Sequence, residues 1–141
     1  MSDGAKQVFT RYFDEVTNKG RLDLVDEIFA TEYAHHDPAN PDEAIGGVGD
    51  VKFHLTALRN AFPDINFQID DMVEDGDTIV VRWTAHCTHT GDYFGIPPTG
   101  KSAVITGMNT WRMAGGKAVE GWVNRDDIGL LQQIGVVPTP G

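Results

Sequence analysis

A chain of 141 residues, 40% apolar and 23% charged, has the balance of one globular domain over residues 1–141 with a single substantial core. Its formal net charge of −10 argues against nucleic-acid binding, which needs clustered Lys and Arg, and no apolar run approaches the roughly 18 residues of a membrane span. The single cysteine, Cys87, excludes an intrachain disulfide and a thiolate-rich metal site, and the opening MSDGAKQVF has no secretory pattern, so a cytoplasmic protein is expected.

In residues 4 to 17, Val8, Phe9, Tyr12, Phe13 and Val16 recur at helical spacing, and Lys19-Gly20 ends that helix. Leu24, Val25, Ile28 and Phe29 repeat the pattern in a shorter helix. Asp37-Pro38 and Asn40-Pro41 then predict a turn-rich stretch. From Gly49, the residues Val51, Leu55, Leu58, Ala61 and Phe62 mark a third helix, closed by Pro63-Asp64. Alternation begins at Ile65, Phe67 and Ile69 and predicts a strand to about Glu74. Asp75-Gly76-Asp77 turns the chain into a second strand over 78–88. A third strand is expected over 102–113, and Gly115-Gly116 leads to a fourth over 117–126. A last short helix, IGLLQQIG, has Asp126 or Asp127 as its cap and Gly135 as its end.

Helices followed by hairpin-connected strands imply an α+β fold, a curved antiparallel sheet wrapped around the N-terminal helices with a conical pocket between them. The loop THTGDYFGIPPTG, residues 88–100, is too long for a tight turn and carries its own apolar residues. It reads either as the rim of that pocket or as a buttress for a neighbouring subunit.

With Gly115-Gly116 as a two-residue turn, strict alternation sets Trp111 opposite Glu120, Asn109 opposite Trp122, Gly107 opposite Asn124 and Ile105 opposite Asp126. That face joins two indoles to polar groups, as the wall of a small-molecule pocket should. A carboxylate walled by tryptophans would have its pKa raised and could exchange a proton at neutral pH, which makes Glu120 and Asp126 the candidate acid/base groups. The plainer readings stand beside these: Glu120 as a solvated sheet charge and Asp126 as a helix cap. His35-His36-Asp37 and His86-x-x-His89 only faintly resemble metal-ligand sets, and no metal site is expected. His54 falls at a helix-exposed position, and Cys87 reads as a small buried hydrophobe.

The segments AFPD (61–64), EDGDTIVVRW (74–83), THTGDYFGIPPTGK (88–101) and GGKAVEGWVNRDDIGLLQQIG (115–135) resemble the SnoaL-like family of polyketide cyclases, within the nuclear-transport-factor-2-like superfamily. The resemblance runs from the first helix to Gly135. It implies an α+β cone assembled into homodimers or homotetramers and a pocket for an aromatic polyketide ester. It also implies an aspartate that removes a proton to start an intramolecular aldol closure, with no metal or organic cofactor. Along VEGWVNRDD that aspartate corresponds to Asp126, with Glu120 its competitor, and His36 matches the histidine of the family's HDP-like stretch. Asn109 stands where cyclase members often carry a histidine.

The expectation is therefore a small hydrophobic or aromatic substrate, Asp126 or Glu120 as acid/base, and Asn109 as donor to a developing oxyanion. Tyr12, Trp83, Phe94, Trp111 and Trp122 would supply apolar walls, and His36 would orient the substrate. The alternatives are a non-catalytic small-molecule binding protein on the same fold, or a related hydroxylase or hydratase.

Overall fold

The computed structural model describes residues 4–39 and 45–139. Ala5–Arg11 forms α1, and the same helix widens into a π-turn over Tyr12–Thr17. Phe9, Tyr12, Phe13 and Val16 fall on its buried side, as their spacing predicts. A 3₁₀ turn at Leu22–Leu24 leads into α2, Val25–Ile28, and then directly into strand β1, Phe29–His36. Strand β2 is the short Ile45–Gly46, and helix α3 is Gly47–Ala61. The long strands follow as β3 (Asn66–Asp75), β4 (Thr78–Thr88), β5 (Ser102–Ala114) and β6 (Lys117–Arg125), ending in helix α4, Asp127–Gln133.

The sheet order is β2-β1-β6-β5-β4-β3, curved and unclosed. The α+β expectation holds, and each expected hairpin strand is present. Strand β1 is an addition. Its Phe29 and Tyr33 continue the four-residue spacing of Val25 in α2 and so mimic a helix, and its long partner is β6, which it joins in parallel. No local turn signal announces a parallel pairing, because the chain must travel far to make it.

The helices cover one face of the sheet, and the core lies between them. On β4, Ile79, Val81, Trp83, Ala85 and Cys87 alternate inward and are all buried. The Phe9 ring stacks on Trp111 with centroids 3.9 Å apart and planes 10° apart, pinning α1 to β5. Such a pair contributes about 0.5–1.5 kcal/mol beyond its buried area.

The register of the last hairpin differs from the expected one. Ala114 faces Lys117 and Met113 faces Ala118, but Arg112 then faces Glu120. Val119 is the extra residue of a β-bulge. One inserted residue sends every later side chain of the strand to the opposite face. Trp111 therefore pairs with Gly121, Asn109 with Val123, and Gly107 with Arg125 on the inner face. Glu120, Trp122 and Asn124 turn outward beside Arg112, Thr110 and Met108, and Trp122 is 38% exposed.

The 88–100 loop is tied down at both ends. His89 and Lys101 continue the β4–β5 ladder through His89 N–H to Lys101 O at 2.9 Å. The Thr90 and Gly91 N–H groups both donate to Ala61 O at the end of α3. Gly91 is required there, because a β-carbon would strike the Asn60 backbone. Tyr93 and Ile96 close a two-residue turn whose central residues, Phe94 and Gly95, have φ of 46° and 87°.

Candidate active site

Between the helices and the inner sheet face lies a cavity of about 190 Å³. Its walls are mostly apolar: Tyr12 and Phe13 come from the π-turn, Leu55 and Leu58 from α3, and Trp83 and Trp111 from the sheet. Tyr93 and Phe94 bring the 88–100 loop to it. π-Turns displace side chains from ordinary helical positions and recur at functional sites, and this one sets Tyr12, Phe13 and Thr17 against the cavity.

The polar groups that line it come from several elements. Asn109 on β5 accepts a hydrogen bond at Oδ1 from the Trp83 indole N–H at 2.8 Å. That bond fixes the amide, leaving its NH₂ group to donate elsewhere. His35 on β1 has Nδ1 within 2.7 Å of the Tyr33 hydroxyl, which in turn accepts from Trp111 Nε1–H at 3.0 Å. Burial is the main reason the His35 ring is pushed down to about 4, with Asp37 acting the other way and Arg125, His36 and His54 adding to the fall. At neutral pH the imidazole is uncharged.

Just beyond β1, Asp37 forms an ion pair with Arg125 of β6, with Nη2 to Oδ2 at 2.7 Å. Arg125 Nε–H also donates to Asp127 Oδ1 at 2.8 Å. Burial alone would weaken the guanidinium's hold on its proton, but Asp127 and Asp37 more than offset it. Ala39 N–H donates to the other Asp37 oxygen at 2.9 Å, so each carboxylate oxygen is oriented and keeps a lone pair to spare. Asp37 is the only carboxylate lining the cavity among the described residues. His54 of α3 lines it too, with Nδ1–H donating to Asp50 O at 2.9 Å, which leaves Nε2 as an acceptor.

Of the site residues expected from sequence, Tyr12, Trp83, Phe94, Asn109 and Trp111 line the cavity. Four do not. Glu120 lies on the outer face, where hydrogen bonds from His36 at 2.8 Å and Arg112 at 3.2 Å hold its carboxyl below the ordinary range. The raised pKa expected for it is thus replaced by a lowered one. Trp122 is outside as well, with His36 stacked on it at 5.4 Å. His36 follows from strand alternation: its neighbour His35 faces in, so it faces out. Asp126 caps α4, accepting from Gly129 N–H at 2.9 Å, and does not line the cavity. His54, expected in solvent, sits on the cavity wall instead.

Sequence reasoning missed Asp37, Arg125, His35 and Tyr33 as site residues. Alternation through His35-His36-Asp37 would have paired the first and third on one face, had β1 been read as a strand. Arg125 became visible only with the bulge.

The chain matches the sequence profile of the SnoaL-like polyketide cyclases over residues 7–134. No functionally curated protein matches it. Among solved structures it is similar to a polyketide-cyclase candidate from Acidithiobacillus ferrooxidans, at 32% identity and a TM-score of 0.82, over 95% of this chain and 96% of that one. It is also similar to IdmH, a polyketide-cyclase candidate from Streptomyces antibioticus, at 26% identity and a TM-score of 0.82, over 93% and 98% of the two chains. A third, AclR, a hydroxylase candidate from Streptomyces galilaeus, shares the fold at 23% identity and a TM-score of 0.83, over 96% and 83%. No helix among the described residues is long and apolar enough to cross a membrane. A profile match over nearly its whole length, on this α+β architecture, makes the chain a member of the SnoaL-like polyketide cyclase family.

Proposed function

We propose that the chain is a cyclase that closes a ring within a polyketide or other aromatic ester by proton abstraction, without a cofactor, and that Asp37 is the group that takes the proton. The observation that carries this reading is the convergence of Asp37, Arg125 and Asn109 on one mostly apolar cavity. Family membership supports the cyclase class, and the cavity supports the chemistry.

Asp37 would remove a proton from the carbon between two carbonyl groups of the substrate. The resulting enolate carbon attacks a second carbonyl of the same molecule, forming the carbon–carbon bond, and the new alkoxide recovers the proton. Nothing is gained or lost overall. The Asn109 NH₂ group and the Arg125 guanidinium serve as donors to the oxygen on which negative charge develops. Trp83, Trp111 and Tyr12 exclude water and stack against a flat ring. Ligand pockets usually measure about 300–1,000 Å³. A cavity of about 190 Å³ holds one ring system, so the remainder of a larger ester would extend past Phe94.

The test is turnover of aromatic β-keto esters, followed by absorbance and by mass spectrometry of a product of unchanged mass. Asp37→Asn should lower kcat by about 10²–10⁴-fold, the usual contribution of a positioned acid/base group. Wild-type turnover in Asp37→Asn, lost instead in His54→Gln, would move proton transfer to the imidazole. A ligand retained unchanged would mark a binding protein, and a product heavier by one water would mark a hydratase.

A further inference from the structure

The hydrogen bonds around Tyr33 contain one more instruction. The Tyr33 hydroxyl is buried, with the residue 1% exposed, and it has a single proton to give. Trp111 Nε1–H can only donate, so at 3.0 Å the hydroxyl oxygen must accept from it. The sole acceptor then offered to the hydroxyl proton, among the described residues, is Nδ1 of His35 at 2.7 Å. The opposite assignment, with Nδ1–H donating to Tyr33, would strand the buried hydroxyl proton without a partner, which a buried site penalises.

Space for this meeting is provided by Gly121. Its φ is not in the left-handed region, so conformational freedom is not the reason for a glycine. Gly121 lies opposite Trp111 in the β5–β6 ladder, and a β-carbon there would collide with the Tyr33 hydroxyl and come within 2.9 Å of Trp111 Nε1. Any larger residue must push the two partners apart.

We propose that Tyr33 is a positioning residue that fixes His35 as the Nε2–H tautomer, so that His35 enters the reaction as an uncharged hydrogen-bond donor to the enolate oxygen. Trp111 and the vacancy at Gly121 hold Tyr33 in place. His35 lines the cavity, and its Nε2 has no partner among the described residues. An uncharged imidazole donates without presenting a full positive charge that would bind the ground state as firmly. The groups around it are Asp37 and Arg125 at one side and His36 and His54 at others, and burial outweighs them in keeping the ring neutral. The role of the oxygen rests on the cyclase reading; the tautomer does not.

The experiment is long-range proton–nitrogen NMR on protein labelled at its five histidines, with the His35 signals assigned through His35→Gln. At neutral pH the unsubstituted protein should show His35 Nδ1 as the bare nitrogen and Nε2 as the protonated one. Tyr33→Phe should release the ring to a mixture of tautomers, and Gly121→Ala should do the same with the hydroxyl still present. If neither variant folds, the unsubstituted spectrum decides the tautomer alone. An Nδ1–H ring in the native protein, or a tautomer unmoved in Tyr33→Phe, overturns the proposal. In turnover assays His35→Gln should lower kcat by about 10²-fold with little change in KM, the loss usual for one oxyanion donor. Unchanged kcat there would refute the catalytic half. A protein that cyclises nothing yet keeps the Nε2–H ring would sink the cyclase reading and leave the Tyr33–His35 arrangement supported.

Discussion

Gly107 faces Trp83 across the β4–β5 ladder, and the indole lies over the glycine where a side chain would otherwise stand. A β-carbon at 107 would come within 2.7 Å of the ring edge. Gly107→Ala should therefore swing Trp83 into the cavity, break its bond to Asn109 and cost about 1–3 kcal/mol of stability, as overpacking does. Thermal melting and the affinity for an aromatic ester would both fall. An unchanged affinity would show that the indole does not border the ligand.

The Asp37–Arg125 pair invites a two-step substitution. Arg125→Met should destabilise by about 3 kcal/mol, because it leaves a nearly buried carboxylate without its counter-charge. Adding Asp37→Asn to it should restore much of the loss. Urea melts of the single and double variants measure the coupling, and simple additivity would show that the pair is not energetically linked.

His35 gives the stability curve an acid limb. Its ring is pushed from the ordinary 6.5 to about 4 in the folded protein. Between those values the unfolded chain binds a proton that the folded one refuses. Stability therefore rises with pH across that window and is fully present above it, by about 3 kcal/mol at most. Denaturant melts from pH 7.5 down to 4 should show the limb, and it should be shallower in His35→Gln.

Phe94 combines a left-handed backbone, φ 46°, with a side chain 67% exposed beside the cavity. Phe94→Gly should leave melting unchanged or slightly raised, since glycine accepts that φ without steric cost. Ligand affinity should drop if the ring covers a bound ester. Weaker melting with intact affinity would identify the loop as a structural brace.

Much of the fold was legible because its signals are local. The aromatic stripe Phe9-Tyr12-Phe13-Val16, the Asp75-Gly76-Asp77 and Gly115-Gly116 turns, and the alternation from Ile79 to Cys87 all depend on neighbours in sequence. The inward set Trp83, Asn109 and Trp111 follows from the same alternation. What escaped depends on distance or on one inserted residue. Strand β1 makes its longest pairing with β6, far along the chain. Val119 leaves no mark in composition that separates it from an ordinary β-branched strand residue, yet it decides that Arg125 rather than Glu120 meets the cavity. The Asp126 cap was the plainer of two readings, and its bond to Gly129 gives it that part.

The parallel pairing of β1 with β6 also sets a timetable for synthesis. Asp37 leaves the ribosome long before Arg125, its partner 88 positions later. Until the final strand emerges, β1 lacks its long pairing partner, and pairings this remote are slow to form. The charged end of the chamber is accordingly among the last parts to be completed. A nascent chain halted before Lys117 would carry the aromatic walls but lack the strand that joins them to their acid.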